Sequence, residues 1–199
     1  MNKDYIDEQL NNELNGTTSQ PSGQSVQQNS QFIDPNLNKQ LSGEAPISDV
    51  TVLPAKSEIT QKFNTYNPDL ETFSQGYSRD TNFAAEHGTP ISTPPGQWKV
   101  EGTYNQDSPQ GYAGNGDNNG YGNYVIVKNT KTGEKLLFEH MADVNVKPGR
   151  IVSGNVPLGS VGSSGNATGP NLGVEYYDEN GNLSDILSSN YAKYFNISN

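Results

Sequence analysis

The chain has 199 residues, a length that suits one domain with an appended segment. Its 22 acidic and 12 basic residues give a formal charge of −10, and it contains no cysteine. We therefore expect no binding to nucleic acid or to an anionic membrane surface, because both need clustered basic residues. No apolar run reaches the ~20 residues of a membrane span. The lack of cysteine excludes disulfides, thiol nucleophiles and cysteine-based metal sites.

Composition divides the chain near residue 50. We predict that residues 1–50 form an extended, largely irregular arm, because residues 11–42 are dominated by polar residues and glycine and bury too little apolar area to offset the entropy of ordering. Ile6, Leu10 and Leu14 recur at the spacing of one helical face, which predicts a short helix. The first residues lack the apolar stretch of a secretory signal, so we expect synthesis in the host cytoplasm.

Residues 51–199 are predicted to form an all-β domain, because short apolar runs alternate with turns rich in Gly and Pro. Tyr124–Val127 and Lys135–His140 read as the two strands of a β-hairpin around a polar turn. The tail, Leu183–Phe195, is expected to form one or two helical turns. Further strands are predicted at 151–152, 156–161 and 172–177.

Four local features have ordinary structural interpretations. Gly114–Gly122 lacks the alternating acids and terminal Glu of a calcium loop, so we predict a mobile loop. Gly162–Gly165 is not followed by the Lys of a phosphate-binding loop. His87 lies in a turn and is expected at the surface, whereas Trp98 is expected in the core.

An ordered series of five segments resembles the LytM/lysostaphin-type zinc endopeptidases, which cut peptidoglycan cross-bridges. The resemblance spans about residues 55 to 185 and implies a twisted antiparallel β-sheet that folds into a groove. The segments that carry it are Ser78–Pro90, Gly120–Val125, Phe138–Met141, Val146–Gly149 and Thr168–Glu175.

The departures from that family fall on its functional positions. The family holds zinc with two His and one Asp, and Ser78, Asn82 and Gly173 stand at those positions here. Of the two further His positions that serve the attacking water, His140 is retained and Asn171 replaces the other. Ser and Asn are poor zinc ligands and Gly offers no side chain. The resemblance therefore implies a pseudoenzyme. It would bind neither a metal nor any other cofactor, and it would have no catalytic residues.

Two alternatives keep some chemistry at this site. Asp80 and Glu175 could pair as carboxylates in a repurposed hydrolase, or another metal could be bound by Asp80, Asn82 and Asp143. Loss of activity is favoured over the first, because His140 as a lone base would contribute only ~10²–10⁴-fold to the rate.

The favoured function is a non-catalytic structural or adaptor component of a bacteriophage virion, in the tail or associated with it. Its partners would be other virion proteins, contacted partly through the N-terminal arm, and its location would be the virion. The alternatives are a regulator of cell-wall enzymes and a peptidoglycan-binding module. An active zinc endopeptidase is the least favoured function. The residues expected to line a peptidoglycan-binding groove are Tyr77, Tyr112, Tyr121 and His140.

Overall fold

The computed structural model describes residues 50–68, 75–106, 120–154 and 156–198. These residues form ten strands of one sheet in which the strand pairs are antiparallel, which confirms the predicted all-β fold. Residues 1–49 and Tyr112 lie outside the described residues, as does most of the predicted loop at Gly114–Gly122. The strands are β1 (Ile59–Gln61), β2 (Thr81–Ala84), β3 (Pro90–Ile91), β4 (Gln97–Tyr104), β5 (Asn123–Asn129), β6 (Lys135–Val144), β7 (Ile151–Ser153), β8 (Gly159–Val161), β9 (Asn171–Tyr177) and β10 (Leu183–Ser184).

Strands β5 and β6 form the predicted hairpin, with Val127 opposite Leu136. The side-chain oxygen of Asn129 accepts hydrogen bonds from the backbone N–H groups of Lys131 and Thr132, which fixes the turn. Gly133 adopts a φ of +84°, a conformation that glycine reaches without steric cost. The polar, Gly-containing segment between the two apolar runs is therefore the turn that the sequence indicated.

The strand order brings distant parts of the chain side by side. The main path through the sheet is β1-β2-β9-β6-β5-β4-β7, while β10 pairs with β9 and β8 pairs with both β3 and β6. Strand β9 thus lies between β2 and β6, although more than 80 residues of sequence separate it from β2. Three of the segments that carry the family resemblance consequently meet in neighbouring strands.

The two faces of the sheet are both covered. Successive side chains of a strand point to opposite faces, and on β5 Val125 and Val127 belong to the larger buried cluster, whereas Tyr124 and Ile126 belong to a smaller one. Burial on both faces explains why β5 reads as a continuous apolar run. Trp98 of β4 is fully buried in the larger cluster, as predicted.

The C-terminal residues close the larger cluster. The predicted helical tail consists of β10 followed by two 3₁₀ helices, Ile186–Ser188 and Ala192–Tyr194. Phe195 is fully buried and stacks on Phe83 with 4.7 Å between ring centroids. None of the helices in the described part of the chain has the length and apolar character that a membrane crossing requires.

Glu134 connects this C-terminal segment to the central strands. Its carboxylate accepts hydrogen bonds from the hydroxyls of Tyr176 on β9 and Tyr191 near the C-terminus, each at 2.6 Å. Burial acts to raise the pKa of Glu134, but hydrogen bonds from Thr132, Tyr176 and Tyr191 outweigh it and lower that pKa below 4.5. The charged form of Glu134 is therefore the one that the fold favours.

We expect Glu134→Gln to reduce the loss of stability in acid. Because the folded-state pKa is lowered, Glu134 contributes stability above the unfolded-state value of 4.5, and this contribution is lost as the pH falls through the folded-state pKa. Urea unfolding from neutral pH into the acid range measures it, with Glu179→Gln at an exposed turn position as the control. If the free energy of unfolding of the two variants changes equally with pH, the hydrogen bonds to Glu134 do not lower its pKa.

Candidate functional site

Strands β2, β9 and β6 place the positions implied by the family resemblance next to one another. Gly173 of β9 pairs with Asn82 of β2 on one side and with Glu139 of β6 on the other. The flanking residues Phe83 and Phe138 belong to the larger buried cluster. Because side chains alternate along a strand, the core lies on one face of these strands and the candidate site on the other.

The carboxylate of Asp80 is held at the centre of this site. The hydroxyl of Ser78 donates to Asp80, where it lies 2.7 Å from the backbone carbonyl oxygen and 2.9 Å from Oδ1, and Asn82 donates from its amide nitrogen to Oδ2 at 2.7 Å. The family resemblance aligns Ser78 and Asn82 with two zinc-ligand positions and Asp80 with a Gly. The residues at these two positions are hydrogen-bond donors to Asp80.

The third ligand position has no room for a side chain. A Cβ atom on Gly173 would lie 2.5 Å from Cγ of Glu139 and 2.8 Å from Oδ2 of Asp80. Both distances are far below van der Waals contact. The space that a ligand at position 173 would use is thus filled by two acidic side chains.

The donor set at the family's three ligand positions does not fit zinc. A catalytic zinc site needs about three N, O or S ligands with an open position for water. A neutral hydroxyl, an amide that already donates to Asp80, and a glycine with no space beside it do not supply such a set. These three positions therefore provide no zinc ion for a reaction step.

His140 is retained and held in a single state. It is buried, its backbone φ is +61°, and its Nδ1 lies 3.0 Å from the carbonyl oxygen of Ser164. A carbonyl only accepts hydrogen bonds, so Nδ1 carries the proton and Nε2 keeps its lone pair. Burial lowers the pKa of His140 although Asp80 acts to raise it, which favours the neutral ring.

Glu175 is buried beside the site with a full set of partners. Its carboxylate forms an ion pair with Nε of Arg79 at 2.9 Å and accepts hydrogen bonds from Tyr177 and, at 3.3 Å, from Tyr121. Burial raises the pKa of Glu175, while Arg79 acts to lower it. Glu175 therefore pairs with Arg79. The repurposed-hydrolase alternative needs Glu175 to pair with Asp80 instead.

Glu139 is the residue that the sequence analysis missed. Its side chain is buried next to Asp80, and burial, followed by the charges of Asp80 and Glu175, raises the pKa of Glu139 well above its usual value. In the sequence it is the unspecified position between Phe138 and His140. The available signal was an acidic residue inside an otherwise apolar strand.

The predicted groove residues in the described part of the chain differ in exposure. Tyr77 is 50% exposed and its ring meets that of Tyr66 edge-on at 5.5 Å. Tyr121 is partly buried and His140 is buried. Asn171 is partly buried, and its Oδ1 has no hydrogen-bond partner.

Comparisons with known proteins identify the family and the fold. The sequence profile of peptidase family M23 matches residues 77–185. The fold is similar to the catalytic domain of the antimicrobial peptidase lysostaphin from Staphylococcus simulans, at 20% identity and a TM-score of 0.50, covering 65% of this chain and 88% of that one. It is also similar to a zinc-containing peptidase from Vibrio cholerae, at 22% identity and a TM-score of 0.51. That match covers 71% of this chain and 40% of the Vibrio chain. No curated protein matches the sequence significantly.

We expect Gly173→Ala to lower the free energy of unfolding by about 1–3 kcal/mol, the usual cost of overpacking. The added methyl group must displace Glu139 and Asp80, of which Glu139 is itself buried. Gly169→Ala is the matched control, because a Cβ there meets nothing within 4 Å. Urea denaturation of both variants checks this. Equal stabilities would mean that the two acidic side chains do not occupy the space beside Gly173.

Proposed function

The chain belongs to peptidase family M23, and within that family we propose that it is a catalytically inactive member whose domain has a structural or adaptor role. One observation carries the proposal. Ser78 and Asn82 donate hydrogen bonds to Asp80, and the carboxylate of Asp80 lies beside Gly173, so all three ligand positions belong to a different arrangement.

The remaining groups are weak candidates for amide hydrolysis. A bound zinc ion lowers the pKa of water to about 7 and polarises the scissile carbonyl, and the family's ligand positions no longer support it. His140 retains a free Nε2 lone pair, but general-base catalysis alone contributes ~10²–10⁴-fold. Enzymes that hydrolyse unactivated bonds need far larger accelerations.

Residues that shape the backbone are retained where ligands are lost. Gly88 and Gly149 adopt φ values of +85° and +89°, which favour glycine. At Gly122 a Cβ would lie 2.3 Å from Oγ of Ser164, so only glycine fits. This pattern supports a fold that is used for its shape.

We expect the protein, supplied with excess zinc, to release no soluble fragments from dye-labelled cell walls of several cross-bridge types. The lysostaphin catalytic domain serves as the positive control, and a His140→Asn variant shows whether any release depends on the retained His. Asn tolerates the positive φ at this position. Chelator-sensitive release that disappears in His140→Asn would overturn the proposal of inactivity.

The assembly that we propose is a bacteriophage virion, with the protein in the tail or associated with it. The support is compositional: residues 11–42 are rich in polar residues and glycine, and segments of this composition commonly order on a partner. Other virion proteins would be those partners.

We expect the tagged full chain to co-sediment with particles purified from cells that carry the gene, and a chain that begins at Val50 to be lost from them. Equal thermal unfolding midpoints for the two chains would show that the shorter one is folded. If the full chain is absent from particles, or if both chains sediment equally, the proposed role of the arm is wrong.

A peptidoglycan-binding module is the second candidate, and the exposed aromatic pair favours it. Tyr66 and Tyr77 are 53% and 50% exposed, their rings are in contact, and Tyr77 directly precedes Ser78 in the chain. Large exposed aromatic side chains commonly anchor binding interfaces. Pelleting of the full chain with insoluble peptidoglycan, without association with particles, would favour this candidate over the virion role.

A further inference from the structure

The candidate site contains more buried negative charge than the neighbouring basic residues neutralise. Asp80, Glu139 and Glu175 approach one another there, and Arg79 is the one basic residue paired with any of them among the residues that the structure describes. Arg79 is engaged with Glu175 at 2.9 Å. Asp80 and Glu139 are therefore left without a fixed cation, and burying such charge is costly unless it is compensated.

Three donor groups converge where this charge accumulates. Asp80, Glu139 and His140 each offer one ligand atom, and these atoms all lie within 4.8 Å of one another. The lone pair of His140 is on Nε2, because Nδ1 donates to the carbonyl of Ser164. A metal-binding His is normally oriented by such a bond from its other nitrogen.

The carboxylate of Asp80 is oriented in the same way. Ser78 and Asn82 each donate a hydrogen bond to one of its oxygens, at 2.9 and 2.7 Å. Outer-shell bonds of this kind fix a ligating carboxylate in place. The former zinc-ligand positions thus support a donor that the family motif does not have.

One polar atom at the edge of this cluster is unsatisfied within the described part of the chain. Asn82 is 6% exposed, and its Oδ1 is buried without a hydrogen-bond partner there, while its amide nitrogen donates to Asp80. Buried polar atoms are nearly always satisfied, so the residues that the structure describes do not fully compensate the polar groups around the cluster.

We propose that Asp80, Glu139 and His140 form a binding site for a divalent first-row transition cation, displaced from the family's ligand positions. Two carboxylate oxygens and one imidazole nitrogen suit Zn²⁺ or Mn²⁺, whereas Ca²⁺ prefers six to eight oxygens. Asp143, which the sequence analysis considered as a metal ligand, instead accepts hydrogen bonds from Ser160 and Asn145. This site does not rest on the proposed inactivity.

The role of the cation would be structural. Glu139 and His140 are 5% and 6% exposed, which leaves little access for a peptide. Asp80 precedes β2, while Glu139 and His140 lie on β6, and β9 separates these strands. A cation shared by the three residues would cross-link these two parts of the sheet.

Binding is tested on the full chain after removal of metal with a chelator. Equilibrium dialysis against Zn²⁺ alone and Mn²⁺ alone, followed by elemental analysis, is expected to show one ion per chain for at least one of the two metals. Thermal unfolding is expected to shift upward with that metal, because a ligand that binds only the folded state stabilises it. Neither measurement needs a variant, and failure of either one overturns the proposal.

Matched variants locate the site. Glu139→Gln and His140→Asn are expected to weaken binding by at least ~10-fold, since even changes to outer-shell partners cost about 10–100-fold. Glu179→Gln and His87→Asn remove the same chemical groups at exposed positions and are expected to bind like the unmodified chain. Equal binding by the site variants, or loss in the His87→Asn control, would overturn the assignment. These readouts involve no hydrolysis, so they are independent of the test for inactivity.

Discussion

The register of three neighbouring strands is the constraint on which the candidate site depends. It places Gly173 of β9 between Asn82 of β2 and Glu139 of β6. Because position 173 has no side chain, Glu139 and Asp80 can occupy the space beside it. A side chain there would compete with both acids, so the acidic cluster requires the glycine.

Buried negative charge is the unfavourable energy term of this arrangement. The three acidic residues differ in how far hydrogen-bond donors and basic residues compensate it. Glu175 has an Arg79 guanidinium and two tyrosine hydroxyls, and Asp80 has two neutral donors. Among the residues that the structure describes, Glu139 has no basic partner, and burial together with nearby carboxylates raises its pKa. In the absence of a cation, a proton on Glu139 is the remaining means of reducing the repulsion. The proposed cation would serve the same purpose by binding directly to both carboxylates.

The fold could be predicted from the sequence, whereas the acidic cluster could not. The β5–β6 hairpin followed from two apolar runs and a turn, and the replacement of zinc ligands stays a prediction from the family motifs. Strand alternation alone does not place the donors on β6, because the φ of +61° at His140 and the shifted register near Met141 interrupt the period of two. The contact of His140 with Ser164 joins residues 24 positions apart, and the sequence gives no local signal for it.

The separation of core and candidate site explains how this fold tolerates different residues at the positions that the resemblance assigns to zinc ligands. On β2, β9 and β6 the core residues Phe83, Leu172 and Phe138 lie on the face opposite the candidate site. The burial of these apolar side chains drives folding, and it does not require any of the three ligand positions. Ser78 and Asn82 instead donate hydrogen bonds to Asp80. Within the described part of the chain these bonds leave two demands unmet, namely the buried Oδ1 of Asn82 and the charge of Asp80 and Glu139.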